Sequence, residues 1–341
     1  MDKRAEGFRG YEYMLFSAAT LLTMVLCICA GSVDIAVRDV WSALADGVAG
    51  RPLGNEQTII IQARLPRVLC VALVGASLSV CGAAMQGLLR NPLADGSTLG
   101  VSAGASLGAV LAIAFGISIP QLAFAGTALL SMSFAFLSLL LILGLAYRLD
   151  YSLSTNTIIL IGVIFTMFAN SIICLIITFA GQHVKTITFW TMGSLVGSGY
   201  GDALLLTAAL AICGGLLLGR ARELNAFAIG EDNARTIGVN VKRVKLLVLI
   251  AASALIGVCV SVSGTIGFVG LVIPHMARLL VGPNHRRLLP ASLFGGAIFL
   301  LLADLLGRML LRPLELPIGV VTSFIGSIVF VYIFYTARRV K

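Results

Sequence analysis

The residues in this sequence that could do chemistry are a few ionisable side chains at the ends of long apolar stretches. Asp304 and Arg308 are four residues apart, so a helix would place them face to face. A carboxylate in an apolar span is costly and suggests a function, here coupling of transport to an ion. An ion pair that only anchors the end of the helix explains the same spacing equally well.

Two further arginines, Arg64 and Arg67, lie three residues apart beside Pro66 at the start of another apolar stretch. Guanidinium groups bind carboxylates with two parallel hydrogen bonds. With Arg308, these residues would form a set of three outward-facing arginines at the ends of spans. We interpret the set as a receptor for carboxylates on an external partner.

The sequence offers little else for catalysis or cofactor binding. It has no Ser-His-Asp arrangement and no HExxH motif, and its seven cysteines and three histidines are scattered. We therefore predict no catalytic residue, no metal site and no cofactor on this chain. It also lacks the phosphate-binding GxxxxGK[ST] loop, so if ATP drives transport, ATP and Mg²⁺ are bound by a partner ATPase.

The elements that position these residues are apolar helices. Hydrophobic residues make up 59% of the 341 residues and charged residues 11%, which predicts an all-α polytopic membrane protein. The apolar runs are continuous, unlike the alternating strands of a membrane β-barrel. Ten of them are predicted to cross the membrane, within a single permease domain covering residues 1–341.

The distribution of basic residues orients these ten crossings. With both termini in the cytoplasm, 17 of the 24 lysine and arginine residues fall on the cytoplasmic side. The net charge of +9 then reflects topology and does not call for nucleic acid as a partner. Residues 74–108 and 255–281 each run from a long apolar span through a break into a short helix, which suggests halves resembling inverted repeats.

The glycines Gly96, Gly100, Gly104 and Gly108 recur every four residues and would form a groove along one helix. Close packing against a neighbouring helix is favoured over lining a transport pathway. The charged island, residues 220–245, contains nine charged residues between two apolar spans. From charge alone, a docking site for a soluble partner and a loop that only fixes the topology are equally good explanations.

Longer stretches of the sequence resemble a known family. RLPRVLCVALVGASLSVCGAAMQGLLRNPLADGSTLGVSAGA (64–105), LNAFAIGEDNARTIGVNV (224–241), SGTIGFVGLVIPHMARLLVGPNHRRLLP (263–290) and ADLLGR with ELPIGVVTSFIGS (303–308 and 315–327) occur in order. They resemble, over nearly the full length, the permease subunit of type II ABC importers for iron-siderophores, haem and cobalamin. Such subunits have ten transmembrane helices.

The resemblance implies a homodimer in the cytoplasmic (inner) membrane of a bacterium or archaeon. Two ATP-binding subunits would bind on the cytoplasmic side and a substrate-binding protein on the outer side. By the family pattern, Arg64, Arg67 and Arg308 would meet glutamates of the binding protein. The cytoplasmic gate would comprise Asn91, Leu93, Thr155 and Asn156, although Asn156 replaces the small hydroxyl residue expected there.

The resemblance also favours docking for the island, which would contain the coupling helices that contact the ATPase. Ala234 to Gly238 resembles the family's Ala-x-x-x-Gly element. The coupling residues carried over are Leu224, Asn225, Ala226, Gly230, Glu231, Ala234, Arg235 and Gly238.

Alternatives remain open at the level of sequence. The cargo could be an iron-siderophore, haem or cobalamin, because large chelates all require a wide, mostly apolar path. A less favoured function is an ion-coupled carrier that acts alone through Asp304. A structural membrane protein would leave the glycine-rich breaks unexplained.

Overall fold

The computed structural model describes residues 7–31, 35–52, 54–117, 125–151 and 153–339, and in these ranges the chain forms helices and no named strand. Lys3, Arg4 and Lys341, which contributed to the predicted orientation, lie outside the described residues. We number the helices as follows: α1 Gly10–Cys29, α2 Val37–Val48, α3 Asn55–Leu89, α4 Val101–Ala114, α5 Ala125–Leu149, α6 Thr155–Phe179, α7 Val184–Thr191, α8 Tyr200–Gly219, α9 Ala221–Ala228, α10 Glu231–Thr236, α11 Val241–Ser263, α12 Val269–Val281, α13 His285–Met309 and α14 Ile318–Arg339.

Seven of these helices, α1, α3, α5, α6, α8, α11 and α13, are long and apolar enough to cross a membrane. Three shorter apolar helices, α4, α12 and the described apolar part of α14, coincide with the remaining predicted crossings. The all-α membrane architecture is therefore confirmed. The number of ten crossings stays a prediction, because a helix of 13 or 14 residues is shorter than the apolar layer it would have to span.

Helix α3 lies at the centre, and glycines allow its backbone to touch two neighbours. A Cβ atom added to Gly75 would lie 2.3 Å from the carbonyl oxygen of Gly296 in α13, and one added to Gly82 would lie 1.8 Å from that of Gly270 in α12. Any larger side chain would force these helices apart. Small residues at helix crossings are the means by which membrane helices gain packing energy.

A proline in α12 is accommodated by a side chain of α3. Pro274 has no N–H group, so it cannot donate to the carbonyl of Gly270 one turn earlier. The side-chain amide of Gln86 donates to that carbonyl and to the carbonyl of Leu271, both at 3.2 Å. The Gln86 oxygen accepts from Arg278 at 3.3 Å, so the buried amide is bonded on both sides.

The glycine series behaves as two different features. Gly104 and Gly108 lie in α4 against α5, where a Cβ on Gly108 would lie 2.4 Å from the carbonyl oxygen of Leu130. For these two residues the packing interpretation is confirmed. Gly96 and Gly100, however, precede the helix, which begins at Val101, so the predicted single helical groove is wrong in its first half.

The non-helical breaks after α7 and α11 bond to each other. The amide of Ser194 donates to the carbonyl of Ser263 at 2.8 Å, and the hydroxyl of Thr265 donates to the carbonyl of Thr191. Open backbone within a membrane is tolerated where another part of the protein covers it. These two breaks therefore satisfy part of each other's hydrogen-bonding requirement.

Candidate functional site

A charged cluster surrounds the C-terminal end of α13, and we call it the arginine cluster. Its members are the buried Arg64, Asp304 and Arg308, the half-buried Arg67 and the exposed Glu315. Asp304 is 1% exposed and is held between two guanidinium groups. Its carboxylate accepts from Nη2 of Arg67 at 2.8 Å and lies 3.0 Å from Nε of Arg308. The pairing of Asp304 with Arg308, four residues apart, is confirmed.

Arg64 and Arg308 bind the last carbonyls of α1, which have no partners within that helix. Arg64 donates to the carbonyl of Ile28 at 2.6 Å, and Arg308 donates to that of Cys27 at 3.0 Å. The two arginine residues are 8% and 5% exposed. Their guanidinium groups thus hold the end of α1 against α3 and α13.

The structure brings the three predicted arginines together, but it corrects the expectation that all three face outward. Arg64 and Arg308 are buried, because the end of α1 covers them. The Arg67 side chain is 13% exposed and also pairs with the more exposed Glu315 at 2.8 Å. Asp304 is an ion-pair partner here, which favours an anchoring role over ion coupling.

The opposite end of α3 forms the first predicted gate turn. Arg90 ends the helix in the left-handed conformation, with φ of 49°. The side-chain oxygen of Asn91 accepts from the amide of Leu93 at 2.9 Å, which fixes the turn and leaves Leu93 47% exposed. Farther along, burial raises the pKa of the Asp95 carboxyl, although hydrogen bonds from Ser97 and Thr98 oppose the rise.

The second predicted gate segment begins α6. Ser154 caps this helix by accepting from the amide of Thr157, and its own amide donates to the carboxylate of Asp150 at 3.1 Å. Thr155 is half-buried and Asn156 is exposed. Both predicted gate segments lie beside the charged island. Lys245 of the island donates to the carbonyl of Leu153, just before the second segment. Gly230 lies close to the guanidinium of Arg90, just before the first segment.

The island folds into the two short helices α9 and α10, which turn buried residues to the helical body and others to solvent. Leu224, Phe227 and Ala234 are fully buried. Asn225 accepts from the backbone amide of His285 at 2.8 Å, which fixes α9 to the start of α13. The pair of helices is therefore anchored by packing and hydrogen bonds and is not a loose loop.

The distribution of exposure corrects part of the predicted coupling surface. Leu224, Ala226 and Ala234 are buried within the chain, because each faces the helices above the island. Arg235 and Gly238 are exposed. Two apolar residues that were not among the predicted coupling residues are exposed as well. Ile229 is 59% and Ile237 is 64% exposed. The sequence contained this signal: each isoleucine directly precedes one of Gly230 and Gly238, the two glycines that divide the island into short pieces.

Among the described residues, no group of three or more histidine, cysteine, aspartate or glutamate side chains could hold a metal ion. We assign no residue to metal or cofactor binding.

Comparison with known sequences matches the model of the FecCD transport family to residues 19–336. An uncharacterized ABC transporter permease protein, YvrB of Bacillus subtilis, is 42% identical, over 98% of this chain and 96% of its own. The cobalamin import system permease protein BtuC of Halobacterium salinarum is 38% identical, over 81% and 73%. The hemin transport system permease protein HmuU of Yersinia pestis is 36% identical, over 91% and 90%.

A solved structure gives the same result for the fold. The chain superimposes on a metal-chelate type ABC transporter in an inward-facing conformation with a TM-score of 0.85 and 30% identity. The match covers 96% of this chain and all of the other. Fold and relatives together define a class, the membrane-embedded permeases of ABC importers. Within that class, this chain belongs to the FecCD transport family.

Proposed function

We propose that this chain forms a homodimer in the cytoplasmic membrane, with both termini in the cytoplasm, and imports an iron-siderophore or a related large metal chelate. Two ATPase subunits would bind the charged islands, and a substrate-binding protein would deliver the cargo at the arginine cluster. The matched solved structure is a metal-chelate type transporter, which supports this class of cargo. Haem and cobalamin are equally compatible, because relatives named for them are similar over most of the chain.

One observation carries the proposed partnership with an ATPase. Helices α9 and α10 are anchored to the body by Leu224, Phe227 and Ala234, yet they expose Ile229 and Ile237. Two exposed apolar side chains on an anchored, otherwise polar segment are compatible with an interface that has an apolar core and a polar rim. In the proposed mechanism, ATP binding draws the ATPases together and the two helices move as levers. The gate residues Asn91, Leu93, Thr155 and Asn156 would then open or close the path.

Reconstitution into liposomes tests this function. The chain, its ATPase and its binding protein are supplied with ferrichrome, haemin or cyanocobalamin, and uptake is measured with Mg-ATP on the ATPase side. We expect uptake of one probe with ATP and none under a proton or sodium gradient alone. Gradient-driven uptake by the chain without an ATPase would instead support the carrier that acts alone.

The exposed isoleucines provide a sharper test of the ATPase interface. The double substitution Ile229→Glu and Ile237→Glu should weaken binding of the ATPase subunit at least about tenfold, because charged groups would be buried at the contact. Affinity is measured on purified proteins in nanodiscs. The control is Leu314→Glu, which alters a residue that is 71% exposed at the arginine end. Equal affinity for both variants would contradict the assignment.

Arg67 is the member of the arginine cluster best placed to meet a binding protein, since its pair with Glu315 reaches the surface. Arg67→Gln should weaken binding of the substrate-binding protein about tenfold, because a guanidinium–carboxylate contact would be lost. Arg51→Gln, at a side chain that is 71% exposed in the loop before α3, is the control. Binding of wild-type strength by a monodisperse Arg67 variant would remove the proposed role.

A further inference from the structure

The lysine at the end of the island, Lys245, is buried where three parts of the chain meet. It lies in the second turn of α11 and is 1% exposed. Its ammonium group is 2.7 Å from a carboxylate oxygen of Glu231, which begins α10. It also donates to the main-chain carbonyl of Leu153 at 2.8 Å. A single side chain thus joins α10, α11 and the segment that leads into α6.

Neither contact follows from the geometry of α11 itself. Glu231 lies in a different helix, and Leu153 is 92 residues away in the sequence. A buried ammonium group requires compensation by charge and hydrogen bonds, and removal of a partner is costly. A lysine that only fixed the membrane topology could remain exposed, as its neighbours Lys242 and Arg243 are. The burial of Lys245 between two distant segments therefore indicates a further role.

The contact with Leu153 acts on a constrained piece of backbone. Leu153 has a φ of 52°, a left-handed conformation that is uncommon for a residue other than glycine, and its side chain is buried. The next residue, Ser154, caps α6, whose first residues are Thr155 and Asn156. A displacement of the Leu153 carbonyl would therefore also displace the first residues of α6.

We propose that Lys245 is a positioning residue that transmits movement of α10 to the start of α6. The inference rests on the proposed function, in which an ATPase moves α9 and α10. When α10 shifts, Glu231 carries the ammonium group with it, and the ammonium group carries the Leu153 carbonyl. The start of α6 is thereby linked to α10 through the ion pair between Lys245 and Glu231 and the hydrogen bond from Lys245 to Leu153.

Hydrogen–deuterium exchange on the complete permease–ATPase complex in nanodiscs tests this link without knowledge of the cargo. Exchange is compared without nucleotide and with ATP plus vanadate, in peptides covering residues 231–238 and 153–158. In the wild type, both peptides should respond to nucleotide. In Lys245→Met, the response at 231–238 should persist and that at 153–158 should be lost. Lys245→Arg should retain the response at 153–158, because a guanidinium group can bond both Glu231 and Leu153.

Lys185→Met is the control, because Lys185 in α7 is an exposed lysine that lies outside the charged island. It should leave both responses at the wild-type level. Glu231→Gln keeps the lysine and its bond to Leu153 but weakens the link to α10. It should reduce the response at 153–158 even if Lys245→Met fails to assemble.

Two outcomes separate failure of this link from failure of the proposed function. If residues 153–158 respond equally in the wild type, Lys245→Met and Glu231→Gln, the proposed link is wrong while the importer function stands. If neither peptide of the wild type responds to nucleotide, the proposed coupling by the island is itself overturned.

Discussion

Asp304→Ala is expected to lower the thermal unfolding midpoint of the purified protein by about 10 °C, which corresponds to a loss of about 3–5 kcal/mol. The substitution would leave the guanidinium groups of Arg67 and Arg308 without their shared carboxylate. Since Arg308 is 5% exposed, water cannot replace the lost partner without opening the end of α13. The midpoint is measured in detergent, with monodispersity as the criterion for a folded sample.

An exposed ion pair supplies the control for this prediction. Asp46 pairs with Arg51 at 3.2 Å, and the side chain of Arg51 is 71% exposed. Asp46→Ala should therefore cost less than about 1 kcal/mol, because solvent already screens the pair. If Asp304→Ala and Asp46→Ala shifted the midpoint equally, the arginine cluster would not stabilise the fold in the way its burial suggests.

Gly82→Leu is expected to have an effect of comparable size on the helical core. The new side chain would meet the backbone of α12 at Gly270, where even a Cβ atom would lie 1.8 Å from the carbonyl oxygen. Backbone atoms cannot move out of the way as a flexible side chain can, so the two helices would have to separate. We expect a midpoint lower by at least about 10 °C, or failure to obtain monodisperse protein.

The control glycine lies on a helix surface that faces none of the other residues that the structure describes. Gly215 in α8 is exposed, and a Cβ atom there would meet no atom within 4 Å. Gly215→Leu should leave the midpoint within the error of the measurement. A Gly82 variant as stable as the Gly215 variant would contradict the close approach of α3 and α12.

The helices could be predicted from the sequence because each apolar run is long or bounded by charge, glycine or proline. The i, i+4 spacing also gave the Asp304–Arg308 pair directly. The burial of Arg64 could not be predicted, since it depends on where the end of α1 lies. Similarly, the sequence does not indicate that Gln86 in α3 donates the hydrogen bond that Pro274 in α12 cannot make.

The charged island shows the same division between local and distant information. Its position between two apolar spans and its division at Gly230 and Gly238 are local features, which could be predicted from the sequence alone. The inward orientation of Ala234 and the outward orientation of Ile237 depend on which side of α10 faces the helical body. A helix of six residues is too short for its apolar pattern to reveal that side.

The hydrogen bond from Gln86 to the carbonyl of Gly270, which Pro274 leaves without a backbone donor, limits how the helices can rearrange. Helix α3 is fastened to α12 by this amide and by the Gly82 contact, and to α13 by the Gly75 contact. Sliding any one of the three past the others would expose an unbonded carbonyl or force backbone atoms to collide. These three helices should therefore move together as one rigid unit during a transport cycle.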